Sequence, residues 1–305
     1  MPSPRLRWFI TLLSLVTILF VLSFAAATVL AEGAVHPLLR RRASDTAILA
    51  SSIGHASGTT ARNVCIRTRD GVVLKAWWLA PEQPNGRAVM VCHGVADSAY
   101  GALGFAPLFL KQGYSVLLPE SRGHGESLGF VTYGVLEGRD IVQWLCWMKR
   151  NRVKDAFGFG ESLGGAILIQ SLAQGADFRA IVAESPYSSF EAVADERVAR
   201  VIPAPIAFLL VKEGMLYIHL RYGVNLSLAR PDLAIARARV PILLIHGLSD
   251  NETSPQHSER LARINPAMTK LWLVPGARHT ASYATAPTAF EHNILDWFRL
   301  ALRPR

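Results

Sequence analysis

Apolar positions follow two spacings beyond about residue 61, and their alternation predicts the fold class. Unbroken apolar runs of strand length occur at 88–92 and 240–246, shorter strand-like runs at 154–159 and 270–275, and a further one ends near Glu184. Between them lie stretches of helical character, such as 166–172 and the segment from about Pro287 to the C-terminus. Such alternation calls for an α/β architecture, a mostly parallel sheet with helices on both faces. An antiparallel pair at 64–68 and 72–79, turning at Arg69-Asp70-Gly71, is expected ahead of it.

The boundary between the run at 154–159 and the helix at 166–172 carries the first chemical signal. There Gly160-Glu161-Ser162-Leu163-Gly164 fits G-x-S-x-G, the pattern of a serine held on a tight strand-to-helix turn. Such a turn needs neighbours without side chains, which Gly160 and Gly164 supply. The same helix start offers the Leu163 amide to a developing oxyanion.

A serine nucleophile needs a base and an acid to orient that base, and on this type of turn they follow in the order Ser, Asp or Glu, His. Asp250 stands just past the strand at 240–246, and His279 just past the strand at 270–275. Singly, Asp250 reads equally as a turn or cap residue and His279 as a surface histidine. Jointly they complete a Ser162, Asp250, His279 set, each member directly after an expected strand. His93 and His246 precede glycines and are expected to brace turns, while His257 and His292 fall on helix polar faces. The second oxyanion donor is expected from the loop after 88–92, where Gly94 lets the chain turn and the Val95 amide follows.

Taken together, residues 61 to 305 resemble the α/β-hydrolase superfamily. Besides the elbow, acid and base, the run Glu120-Ser121-Arg122-Gly123-His124-Gly125-Glu126-Ser127 is similar to the family's D-x-R-G-H-G-x-S segment, with Glu120 where aspartate is usual. Thr132-Tyr133-Gly134 with Glu137 and Asp140, and Glu184-Ser185-Pro186-Tyr187, resemble its membrane-associated esterase and monoacylglycerol-lipase-like branch. The resemblance implies a helical cap inserted into the fold. With serine at the elbow, it also implies acyl transfer to water through an acyl-enzyme, without a cofactor or a metal.

The N-terminus follows neither spacing. Residues 6 to 31 are overwhelmingly apolar, with Arg7 the lone charge, long enough to cross a bilayer as one helix. A cleaved secretory signal is the rival reading, since Val29-Leu30-Ala31 offers small residues, but a signal's apolar core is usually about 7 to 15 residues. The expected organisation is an anchor at 1–31, a linker at 32–60 and a hydrolase domain at 61–305. Arg5 and Arg7 ahead of the segment and Arg40, Arg41 and Arg42 behind it nearly balance, and the short basic start tilts the catalytic domain to the extracytoplasmic side. The net charge is +9, and the absence of any helix-turn-helix, zinc or RNA-binding signature argues against nucleic acid as a partner. Cys92, ending a core strand, and Cys146, on a helix, are expected as buried free thiols; the oligomeric state is not legible.

More than fifty residues separate Glu184 from the strand at 242, too many for an ordinary loop, and a cap over the nucleophile is expected at about 186–240. Its run 201–211 is uncharged and apolar, so Ile206 and Phe208 are expected to contact an acyl chain, with core packing as the alternative. The leading function is therefore membrane-anchored hydrolysis of carboxylic esters, lipid-like or with small acyl groups. A peptidase of prolyl-peptidase type uses the same three residues on the same fold. A non-catalytic binding protein is the third reading, and it predicts decay of at least one of three positions that are all intact.

Overall fold

The structure, a computed structural model, describes residues 3–38 and 43–303. Arg40, Arg41 and Arg42, which entered the orientation argument, lie outside the described residues. Strands β1 (Thr59–Arg67), β2 (Val73–Pro81), β3 (Arg87–Cys92), β4 (Ser115–Pro119), β5 (Asp155–Glu161), β6 (Ala180–Glu184), β7 (Ile242–Gly247) and β8 (Thr269–Val274) form one sheet in the order β1-β2-β4-β3-β5-β6-β7-β8. The β1–β2 and β2–β4 pairs are antiparallel, and every pair from β4–β3 to β7–β8 is parallel.

Helices α1 (Pro4–Val35) and α2 (Ala43–Ala56) precede the sheet. α3 (Ala99–Ala102) and α4 (Ala106–Leu110) follow β3, α5 (Glu137–Arg150) follows β4, and α6 (Leu163–Leu172) follows β5. The insertion after β6 contains α7 (Phe190–Val198), α8 (Ala204–Tyr222) and α9 (Pro231–Ile235). α10 (Gln256–Ile264), α11 (Ser282–Thr285) and α12 (Pro287–Leu300) complete the order.

The unbroken apolar strands are explained by two buried faces. Successive side chains of a strand point to opposite sides, so Ala88, Met90 and Cys92 enter one core with α5, α6 and the inserted helices. Val89 and Val91 enter the other, with α2, α3, α4 and α12. In α12 the residues Phe290, Ile294 and Phe298 recur every fourth position, one stripe of a helix, and are fully buried. Phe298 meets Phe157 of β5 at 4.5 Å between ring centroids. Each such aromatic contributes on the order of 1.5–3 kcal/mol through burial.

The helices before residue 61 are packed into these cores. Val35 of α1 belongs to the first core and Ala50 of α2 to the second. The Val131 amide donates to the Val35 carbonyl (3.0 Å), and the Tyr133 hydroxyl donates to the Ala34 carbonyl (3.0 Å). Removing residues 1–60 would therefore open both faces of the sheet. Cys92 is buried, whereas Cys146, expected buried, is exposed, so α5 turns that position to solvent. His257, read as an ordinary polar-face residue, is instead buried: its Nδ1 meets Ser188 Oγ at 2.8 Å and its Nε2 meets Glu196 Oε2 at 3.0 Å, tying α10 to α7.

The segment resembling D-x-R-G-H-G-x-S works as a clamp. Buried Arg122 donates to both oxygens of Asp140 on α5 (2.5 and 2.7 Å) and to both oxygens of Asp70 in the β1–β2 turn (2.7 and 2.9 Å). Asp140 is itself buried, so losing the guanidinium would leave a carboxylate without its counter-charge. Arg122→Ala is expected to cost about 3–5 kcal/mol, read as a lower urea midpoint. A loss below about 1 kcal/mol would show that the clamp is not a stabilising feature.

Candidate active site

The site is built where the carboxyl ends of β3, β5, β6, β7 and β8 meet. Ser162, between β5 and α6, has φ 50° and ψ −112°, a strained conformation for a residue with a side chain. Two hydrogen bonds hold it: its amide donates to the Glu184 carbonyl on β6 (2.7 Å), and its carbonyl accepts from the Ala166 amide (3.1 Å). The flanking glycines allow three backbones to close on one point. A Cβ at Gly160 would strike the backbone of Gly164 and Gly165, and one at Gly164 would strike the carbonyls of Cys92 and His93. Ala96, Ser185 and Thr280, on loops after three other strands, also have positive φ (60°, 49° and 50°), so strain of about 1–3 kcal/mol per residue gathers around Ser162.

Asp250 and His279 come to this point from the loops after β7 and β8. His279 Nε2 lies 2.9 Å from Ser162 Oγ, and His279 Nδ1 lies 2.7 Å from Asp250 Oδ2. The other Asp250 oxygen accepts from the Glu252 and Thr253 amides, both at 2.9 Å, and His246 Nε2 stands 3.2 Å from Oδ2. Burial alone would raise the Asp250 carboxyl, but hydrogen bonds from His246, His279 and Thr253 outweigh it and hold the group well below the usual carboxylate range. Asp250 is thus ionised and fixed, with Nδ1 of His279 facing it and Nε2 facing the Ser162 hydroxyl. His246 was expected only to brace a turn; its Nδ1 meets Ser258 Oγ (2.7 Å) and its Nε2 the Thr253 carbonyl (2.9 Å), so it also braces the acid.

Leu163 opens α6, where an amide has no acceptor within its own helix. Gly94 and Val95 line the same cavity as Ser162, and a Cβ on Gly94 would stand 3.6 Å from the Ser162 Cβ. Two histidines support this loop from behind. His93 Nδ1 donates to the Gly94 carbonyl (2.7 Å) and its Nε2 accepts from the Ser121 amide (3.1 Å). His124 Nε2 accepts from the Ala96 amide (3.2 Å). Burial pushes the two imidazoles down to about 4 and about 3, so both stay neutral acceptors at neutral pH.

The cavity at Ser162 has a volume of about 170 Å³, and its wall includes the acids Asp97, Glu161 and Glu252 with one cation, Arg197. Burial, then the neighbouring Glu184 and Asp97, push the Glu161 carboxyl well up. Arg197 comes from α7, and its Nε donates to the Glu252 carbonyl (3.4 Å). Sequence reasoning missed this polar wall; the position of Glu161 beside the nucleophile was the one available signal. Ile206 and Phe208, expected to touch an acyl chain, lie about half exposed on α8 and are not among the described residues lining this cavity. Among the described residues, no group of three or more His, Cys, Asp or Glu side chains is arranged to hold a metal ion.

Residues 83–210 match the family described as Hydrolase_4: Serine aminopeptidase, S33. The chain is similar to the uncharacterized protein YqkD of Bacillus subtilis strain 168, 27% identical over 235 residues that cover 74% of this chain and 75% of that one. Among solved structures it is similar to the esterase Pf2001 of Pyrococcus furiosus, with TM-score 0.66 and 21% identity over 81% of this chain and 94% of that one. It is also similar to a puromycin-hydrolyzing peptidase of Mycobacterium tuberculosis, with TM-score 0.65 and 18% identity over 82% of this chain and 40% of that one. At such identities the two solved structures share the fold.

Glu120, the departure from aspartate, gives the site a pH signature. Its Oε2 is buried without a hydrogen-bond partner and lies 3.9 Å from His93 Nε2, and burial pushes the carboxyl up to about 7. Below pH 4.5 folded and unfolded chains are both protonated there, so nothing is lost. As pH rises from 4.5 to about 7 the unfolded chain ionises first, and the folded chain loses on the order of 3 kcal/mol. Glu120→Gln should therefore raise the melting temperature relative to the wild type at pH 8 but not at pH 4.5. A difference that is the same at both values would refute the assignment.

Proposed function

We propose that the chain, which has the α/β-hydrolase fold and matches the serine aminopeptidase S33 family over residues 83–210, is a membrane-anchored serine hydrolase that cleaves carboxylic esters through Ser162, His279 and Asp250. The observation that carries the reading is the hydrogen-bonded chain from Asp250 through His279 to Ser162. Ser162 Oγ attacks the ester carbonyl while His279 Nε2 takes its proton, and Asp250 holds the imidazolium that forms. The amides of Val95 and Leu163 receive the oxyanion, each donor lowering the barrier by about 3–4 kcal/mol. His279 then passes the proton to the departing alcohol, and water, deprotonated by the same imidazole, releases the acid from Ser162.

The anchor is α1, charge-free from Trp8 to Ala31 and, among the described residues, the one helix long and apolar enough to cross a membrane. A cleaved signal at the same place is the competing account. Recovery of the mature chain with an N-terminus near Glu32 would decide for it.

Ser162→Ala should remove ester hydrolysis by several orders of magnitude and abolish labelling by a fluorophosphonate while the fold persists. His279→Ala should cost nearly as much and Asp250→Asn somewhat less, since the three act as a unit. Retention of most turnover by Ser162→Ala would end the assignment.

A second reading is favoured by Asp97 and Glu252 around the nucleophile. Carboxylates there suit a substrate that carries a cation, such as a peptide with a free amino terminus. An anionic substrate would meet repulsion of about 1–4 kcal/mol per charge at 4 Å. Rates on acetate and octanoate nitrophenyl esters and on amino-acid nitroanilides separate the two. Esters are expected to turn over faster; faster release from the anilides alone would favour the peptidase.

A further inference from the structure

The inserted helix α8 is bound to α1 in parallel and in a fixed register. Ser23 Oγ donates to Glu213 Oε1 (3.0 Å), and nine residues further along both helices the Tyr222 hydroxyl donates to Glu32 (2.8 Å). Tyr217 also donates to Glu32 Oε1 (2.6 Å). Between these polar ties the helices close on small residues: a Cβ at Gly214 would lie 3.3 Å from the Ala27 carbonyl and 3.5 Å from the Ala31 Cβ.

This register sets a depth. A hydrocarbon core about 30 Å thick takes about 20 helical residues. Counted from Arg7, the last charge before the apolar run, that length ends near residue 27, whereas α1 is exposed at every described position only up to Leu22. The bilayer must therefore extend to the level at which α8 is already present. With Glu213 level with Ser23, the first two turns of α8 stand level with residues 14–22 of α1, inside that span.

The composition of this part of α8 fits lipid. From Val201 to Val211 there is no charged residue, and the segment is bounded by Arg200 and Lys212. Val201 is 83% exposed, and Ile206, Phe208 and Leu209 are each about half exposed. In water such a run is an unexplained apolar patch; at this depth it is a surface matched to its solvent. Lys212, level with Leu22 of α1, has its ammonium neutralised by Glu191 of α7 (2.6 Å).

We infer that the start of α8 and the loop 201–203 are immersed in the bilayer alongside α1, so that bilayer lipid is the partner of this surface. The inference rests on reading α1 as a membrane span. It also accounts for Ile206 and Phe208, which face lipid rather than the cavity at Ser162. The immersed surface abuts that cavity through α7, whose Ala194 and Val198 face α1 and α8 while its Arg197 lines the cavity.

The test uses the full chain in phosphatidylcholine vesicles, with exposed Cys65 and Cys146 replaced by serine. An environment-sensitive fluorophore is attached in turn at Phe208→Cys, Val201→Cys, Leu13→Cys within α1, and Leu228→Cys beyond the far end of α8. Phosphatidylcholine with brominated acyl chains should quench the probe strongly at 208, 201 and 13, and several-fold less at 228. Quenching at 13 without quenching at 208 and 201 would overturn the inference and leave the anchor in place. No quenching at 13 would overturn the anchor and the inference with it. A probe at 208 shielded from water but not quenched would assign the surface to protein, such as a second copy of the chain, and would equally overturn it.

Discussion

The site depends on how closely three stretches of backbone approach at residues 160–165. β5 and α6 fold back on each other so tightly that Gly160 has no room for a Cβ against Gly164 and Gly165, and Gly164 has none against the carbonyls of Cys92 and His93. That contact forces Ser162 into its strained conformation and stands it out at the head of α6. It also brings the loop of Gly94 and Val95 against the serine. The strain is tolerated because the Ser162 amide is bonded to Glu184 on the next strand, so a central sheet contact holds what the turn alone would release. The position of Ser162, the loop of Gly94 and Val95 and the N-terminus of α6 are therefore one geometric fact.

Around this point, carboxyl groups are sorted by their partners. Asp250 is buried yet held ionised, because two imidazoles and backbone amides point at it. Half-buried Glu161 and buried Glu184 lie beside each other and are pushed the opposite way by desolvation. Glu184 has one oxygen on the Ser282 amide (2.9 Å) and the other without a hydrogen-bond partner. Asp97 and Glu252 stand in the cavity wall on the Ser162 side of His279, opposite the fixed anion of Asp250. They also mark the cavity as a poor host for anions.

The sequence revealed the parts that rest on local pattern. Strands buried on both faces read as unbroken apolar runs, so β3 and β7 were legible, and the convergence of Ser162, Asp250 and His279 was legible because each lies within a few residues of a strand's carboxyl end. What escaped notice depends on contacts between distant segments. Arg197 reaches the cavity from an inserted helix whose sequence gives no hint of direction, and Glu196 pairs with His257 across 61 residues. The burial of one end of α1 escaped for a different reason. An all-apolar helix shows no contrast between a lipid face and a protein face, so Ala27, Ala31 and Val35 could be singled out only by their spacing of four and their small size. Ile206 and Phe208 were read as pocket residues because apolar character does not say whether a side chain is turned to a substrate or to a membrane.

Helix α1 and the site are joined mechanically. α1 is bonded to α8 at Ser23 and Glu32, α8 packs on α7, and α7 presents Arg197 to the cavity. In a soluble hydrolase an inserted cap can shift as a body, limited only by its hinges. Here its outer helix is tied to a segment whose depth a bilayer would fix, at about 25 cal/mol for each Å² of apolar surface held out of water. A cap constrained in this way has less freedom to rise from the cavity than the loops at 199–203 and 223–225 alone would permit. The side of the cavity opposite α7, where Gly94, Val95 and Asp97 stand, belongs to the sheet's own loops and is independent of α1. Substrate selection would then be shared between a wall positioned by the membrane and a wall positioned by the sheet, with Ser162 between them.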